Sequence, residues 1–158
     1  MIHHISISAN DPLRVARVLA ELFQGELVPF PSHADSYVAV AFDLHGTIVE
    51  VHPHGTELVP GTEDKGVQHV HNLNYSSHTA THAAISVPVS EAQIREIAAR
   101  EGWRVGVFRR SDFFNVIEFW LENQLLLELL PPELAAQYLD FTRPDVLKQY
   151  LAAAATSA

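Results

Sequence analysis

Two histidines and two glutamates, set in strand-like runs, carry the chemistry this sequence can do. His4 stands in His4-Ile5-Ser6-Ile7-Ser8, and His82 in His82-Ala83-Ala84-Ile85-Ser86. Each has an acidic follower: Glu50 in Thr47-Ile48-Val49-Glu50-Val51, and Glu128 in Leu125-Leu126-Leu127-Glu128-Leu129. Each glutamate trails its histidine by 46 positions, and like residues of the two pairs lie 78 positions apart. Taken alone, Glu128 reads as the outward face of a strand and His4 as surface decoration. The matched spacing joins them: a duplicated βαβββ unit would bring four ligands, His4, Glu50, His82 and Glu128, to one metal ion. Two imidazoles and two carboxylates are borderline-to-hard donors, suited to Zn²⁺, Ni²⁺, Co²⁺, Fe²⁺ or Mn²⁺. Such an ion polarises a carbonyl or enolate oxygen, and a glutamate able to leave it serves as a proton shuttle. Glu128 and Glu50 are the candidates for that exchange. His52 shares the face of Glu50; it reads either as a general acid/base beside the metal or as a solvent-facing strand end.

The elements that must position these residues follow from periodicity. Residues 2–9 alternate, with Ile5 and Ile7 on one face and His4, Ser6 and Ser8 on the other, as a half-buried strand does. Asp11-Pro12 reads as a helix start, with Asp11 as cap and Pro12 in the first turn. Leu13, Ala16, Leu19, Ala20 and Phe23 form an apolar stripe, and Gly25 suits the C-cap. Strands follow over 26–30, 37–44 and 47–52, the last two joined by a His45-Gly46 turn. The second half replays the first. A strand covers 81–89, Ser90 and Gln93 form a capping box, Ile94, Ile97 and Ala98 make the stripe, and Gly102 ends the helix. Strands then cover 103–108, 113–121 and 124–130, with Glu122-Asn123 as a turn. Helices are expected over 133–140 and 144–155, the second as a contact for a partner subunit. The end at 156–158 reads as frayed.

Residues 53–80 interrupt the pattern. The segment carries Pro53, Gly55, Pro60, Gly61 and Gly66, with His54, His69, His71 and His78 among them. Loops of this length are functional or mobile as a rule. The segment reads as a linker that folds over a cavity or joins an oligomer interface, and its histidines as surface residues. Arg109-Arg110 reads either as a solvated charge pair or as a contact for an anionic substrate. Burying Glu128 unpaired among leucines would be costly, so it needs a partner if its strand is inside.

Composition narrows the functions. The chain of 158 residues has a net charge of −9, from 10 Lys and Arg against 19 Asp and Glu. An acidic surface repels phosphate backbones, which argues against nucleic-acid binding. No apolar run suits a membrane span, and no signal peptide is legible. Cysteine is absent, so disulfides and thiolate chemistry are excluded and any metal must be held by His and carboxylates. A cytoplasmic setting fits.

On these residues the chain resembles the vicinal oxygen chelate superfamily, which includes glyoxalase I, methylmalonyl-CoA epimerase, extradiol dioxygenases and bleomycin-resistance proteins. The resemblance covers about residues 2–130. It implies an α+β fold: two tandem βαβββ units forming a curved mixed sheet around a metal-binding cavity, followed by C-terminal helices. Residues 1–158 would then form a single domain, with unit one over about 2–52, a linker over 53–80, unit two over 81–130 and a helical tail over 131–158. The family takes one ligand from the first and one from the fourth strand of each unit, here His4, Glu50, His82 and Glu128. That set is most similar to bacterial-type glyoxalase I. Ser8 stands where glyoxalase I has an Arg for the glutathione carboxylate, and His54 where it has an Asn. Glu122-Asn123-Gln124 replaces the usual turn before the last strand, and the interval from Glu50 to His82 is long. These changes argue against a glutathione hemithioacetal. The resemblance implies a divalent-metal-dependent lyase or isomerase acting on a small oxygenated substrate, working as a homodimer. The alternatives are a non-catalytic, drug-sequestering binding protein of the same fold and a metal-dependent dioxygenase.

Overall fold

The computed structural model describes residues 2–31, 33–59, 67–76, 78–110 and 112–155; the side chains of 151 and 153–155 are not described. The prolines and glycines at 60, 61 and 66 and the chain end at 156–158 lie outside these residues. Strand β1 (His4–Ala9), helix α1 (Pro12–Phe23) and strands β2 (Glu26–Pro29), β3 (Tyr37–Val40) and β4 (Ile48–Pro53) form the first βαβββ run. Strands β5 (Thr56–Val59) and β6 (Gln68–His71) follow. Then β7 (Ala83–Ser86), α2 (Glu91–Glu101), β8 (Val105–Arg110), β9 (Phe114–Leu121) and β10 (Leu125–Leu130) repeat it, before α3 (Pro132–Phe141) and α4 (Pro144–Ala155). No helix of the described residues is long and apolar enough to cross a membrane.

The fold is α+β, and the repeat is reproduced strand for strand. One four-stranded sheet has the order β1-β4-β3-β2, the other β7-β10-β9-β8. Each is mixed: β1 runs parallel to β4, and β7 parallel to β10, while β2–β3, β3–β4 and β8–β9 are antiparallel. Each sheet is open. By compactness the chain divides into Met1–Thr81 with Leu121–Leu125, and His82–Trp120 with Leu126–Ala158.

In the first unit α1 lies on β3 and β4. Val15, Leu19 and Leu22 of the helix and Val49 and Val51 of β4 are fully or almost fully buried. Each such side chain contributes about 1.5–3 kcal/mol on leaving water. Because side chains alternate along a strand, sending Val49 and Val51 under the helix turns Glu50 and His52 to the opposite face. Leu13 is 39% exposed, while Ala16, Leu19, Ala20 and Phe23 are buried as expected and Val15, Val18 and Leu22 join them. In the second unit Ile94 and Ile97 of α2, Phe119 of β9 and Leu127 and Leu129 of β10 are buried. The Ser90–Gln93 capping box and the left-handed Gly102 cap (φ 73°) end α2 as its sequence expects.

Several boundaries moved for physical reasons. Helix α1 is closed by Gln24, itself left-handed at φ 52°. Gly25 serves a different need: a Cβ there would collide with the Val40 carbonyl oxygen. The strand expected over 37–44 stops at Val40. Phe42 turns left-handed (φ 52°), and Asp43 accepts from the backbone of His45 and Thr47 at 2.9 Å each. That local turn outbids the ladder. The strand expected over 103–108 is displaced to Val105–Arg110, which puts both arginines inside it.

Residues 53–80 are not a plain linker. β5 and β6 pair antiparallel, with Leu58 opposite His69. One further connection belongs to the first unit. Glu122 and Asn123 are both left-handed (φ 50° and 58°), as a two-residue turn joining twisted strands requires. The Glu122 carboxylate accepts the backbone N–H groups of Asn10 (2.6 Å) and Asp11 (2.8 Å) at the start of α1.

Candidate metal and ligand site

The strand registers show how each predicted ligand is held. In the first sheet Glu50 lies opposite Ser6, two residues beyond His4. In the second, Glu128 lies opposite Ala84, two residues beyond His82. The His and Glu positions therefore keep the same offset in both sheets. His4 opens β1 and is exposed; His82 lies just ahead of β7 and is exposed. Among the described residues no hydrogen bond or ion pair joins His4 to Glu50. Nor are three His, Asp or Glu side chains gathered with their donor atoms about one point.

Glu50 is held by its neighbours. The Ser6 hydroxyl donates to its Oε2 at 2.8 Å, and His52 Nε2 stands 3.7 Å from the same oxygen. Glu128 is held by a cation. Arg110 donates to Glu128 Oε1 through Nε (3.1 Å) and Nη2, and reaches Glu118 Oε1 at 2.9 Å. The two carboxylates are 13% and 18% exposed, so the guanidinium meets the requirement for a partner on Glu128. Its own pKa is raised by the bonds to Glu128 and then Glu118. Arg110 is thus not a solvated charge, whereas Arg109 pairs with Asp112 near the surface.

His52 is not a solvent-facing strand end. It is 3% exposed. Burial lowers its pKa first, and His69 and His33 lower it further, while Glu50 opposes them. Its Nδ1 lies 2.9 Å from Ser36 Oγ, and His33 Nδ1 lies 2.8 Å from the same oxygen. His52 Nε2 is buried with no hydrogen-bond partner. The rings of His33, His52 and His69 stand close together, and Phe30 borders His52 and His69. His69 is accordingly not a plain surface residue. His33 and Ser36 went unnoticed in the sequence because nothing local marks the loop between β2 and β3 as facing β4.

Beside His52 lies a cleft of about 160 Å³. Among the described residues its polar lining is Ser6, Ser8, Thr56, Thr79 and Thr81 with His52, and its apolar lining Ile7, Leu58 and Leu125. Of the segment 53–80, Thr56, Leu58 and Thr79 line this cleft. His54 sits apart: its Nε2 meets Gln124 Oε1 at 2.9 Å, and its ring stacks on Tyr75.

No family sequence profile and no curated protein sequence matches the chain. Solved structures do match. The fosfomycin resistance protein FosX from Listeria monocytogenes, complexed with Mn(II) and sulfate, is similar over 95% of this chain and 97% of its own. The TM-score is 0.56 and the identity 16%. A mutant of the same protein with Mn(II) and 1S,2S-dihydroxypropylphosphonic acid matches over 82% and 87%, at TM-score 0.53 and 15% identity. A glyoxalase family protein from Bacillus anthracis matches over 82% and 92%, at TM-score 0.50 and 14% identity. The chain therefore has the vicinal oxygen chelate fold.

Proposed function

We propose that this vicinal oxygen chelate fold serves a divalent-metal-dependent, glyoxalase-like enzyme, a lyase or isomerase acting on a small oxygenated substrate. The observation that carries the reading is the equal His-to-Glu offset in the two sheets, which repeats both sequence spacing and strand register. His4, Glu50, His82 and Glu128 would hold the ion, and their imidazole and carboxylate donors suit a borderline-to-hard divalent metal. When bound, the ion supplies Lewis acidity to a substrate oxygen.

The chain's own residues provide the rest. Glu50 takes a proton from the substrate carbon and can pass it on, with Ser6 fixing the carboxylate and His52 3.7 Å away. Glu128 plays the corresponding part in the second unit once Arg110 yields it. His52, whose pKa burial lowers, is available as a proton acceptor beside Glu50 while its Nε2 carries no other ligand. The hydroxyls of Ser6, Ser8, Thr56, Thr79 and Thr81 offer donors and acceptors to substrate oxygens. Among the described residues no Arg or Lys lines the cleft, and its hydroxyls suit a small polyoxygenated compound. The same reading expects a cytoplasmic homodimer with α4 at the contact, which light scattering on purified protein tests.

Metal analysis is the decisive measurement. Purified protein should hold about one divalent ion per site, and Glu50→Ala or Glu128→Ala should lower the occupancy. Metal-free protein that takes up no ion, with variants indistinguishable from it, would defeat the reading. One observation favours a second reading, a non-catalytic binding protein: Arg110 already engages Glu128. Ligand-induced thermal stabilisation insensitive to chelator would support that alternative.

A further inference from the structure

We propose that His33, His52 and His69 form a second transition-metal site, wholly within the first unit, that takes none of the four repeat residues as a ligand and borders one of them, Glu50. The three side chains come from different places: the loop between β2 and β3, the buried end of β4, and β6. Their ring centres are 5.6 Å (His33–His52), 4.7 Å (His33–His69) and 5.3 Å (His52–His69) apart. A Zn–N bond of about 2.1 Å puts a coordinated ring's centre roughly 3.2 Å from the ion, so two rings at a tetrahedral angle have centres about 5.2 Å apart. The ring centres are spaced as three ligands of one tetrahedral ion would be, while their nitrogens do not yet converge on one point.

The hydrogen bonds around them point the same way. Ser36 is 2% exposed, and its hydroxyl has a single hydrogen, directed at the Ala34 carbonyl (3.4 Å). With that hydrogen on Ala34, both lone pairs of Oγ would accept Nδ1–H from His33 and His52, and each ring would keep a bare Nε2. A ligating histidine is oriented in this manner, one nitrogen anchored by a neighbouring acceptor and the other free for the metal. His52 Nε2 is buried and lacks a partner, a state that costs free energy unless something fills it. Among the described residues His69 makes no hydrogen bond, and its χ2 torsion is soft. Turning that ring about its own axis moves its nitrogens without moving its centre, and lets the donor set close. The Glu50 carboxylate, 3.7 Å from His52 Nε2, adds negative charge beside the ion, and the adjoining cleft gives access for a fourth ligand. Three neutral nitrogens select Zn²⁺, Ni²⁺ or Co²⁺ over Mg²⁺ or Ca²⁺.

The test is a calorimetric titration of chelator-treated, full-length protein with Zn²⁺, repeated with Co²⁺ for its visible spectrum. The expected result is a binding event that His33→Gln and His69→Gln each weaken at least tenfold, with loss of the strong four-coordinate Co²⁺ absorption. His4→Ala and Glu128→Gln should leave that event unchanged. Both triad variants replace partly exposed side chains, and circular dichroism checks that they fold. Zn²⁺ binding unchanged in both triad variants, binding lost only in His4→Ala or Glu128→Gln, or no Zn²⁺ binding at all overturns the proposal. The second of these outcomes still supports the metal of the proposed function, so the two ideas fail separately.

Discussion

A single buried hydroxyl, that of Ser36, aligns two imidazoles, and a single guanidinium, that of Arg110, holds two carboxylates. Both arrangements make testable statements about individual residues. His52 has its pKa lowered, chiefly by burial, from an ordinary value of 6.5. In the window beneath 6.5 the folded chain therefore binds fewer protons than the unfolded chain. The associated stability is present above 6.5 and is lost as pH falls through the folded value. Metal-free protein should show a melting temperature that declines below pH 6.5, and His52→Gln should flatten that decline. Arg110 competes with any divalent ion for Glu128. Arg110→Gln should destabilise metal-free protein by about 1–2 kcal/mol, because two partly buried carboxylates lose their cation. The same variant should tighten metal binding if Glu128 is a ligand. A thermal melt with and without chelator reads both effects, and an unchanged affinity would separate Glu128 from the metal.

At the scale of elements, the repeat was legible because it is written in periodicity and in matched intervals. Both βαβββ runs, both first helices and both C-terminal helices are where alternation, caps and prolines put them. The failures are local contests. Tyr37–Val40 ends early because the Asp43 side chain captures the backbone of His45 and Thr47, an interaction that the alternation of Val38, Val40, Phe42 and Leu44 conceals. The helix cap fell on Gln24 because Gly25 is reserved for the approach of Val40. Gly25→Ala should therefore cost about 2 kcal/mol, since backbone rather than a flexible side chain must move. A fall of roughly 4–8 °C in melting temperature is expected. The equal offset of the candidate ligands was legible from spacing alone. The imidazole cluster was not, since its members are 17 to 36 positions apart and join only when β6 folds back.

At the scale of the molecule, the five residues Leu121–Leu125 group with the first unit although they sit in the second repeat. Glu122 caps the start of α1 from there. Glu122→Ala should lower stability by about 1 kcal/mol, the worth of two charge-assisted bonds discounted for exposure, with the loss seen as faster amide exchange at the start of α1. The wider consequence concerns order of synthesis. A ribosome that has released residues 1–81 has made every strand of the first sheet, yet the carboxylate that crowns α1 and the amide that meets His54 are some forty residues away. The first half is begun first and finished late. A gene divided after codon 81 should yield a first product that becomes protease-resistant only when the second is supplied alongside it.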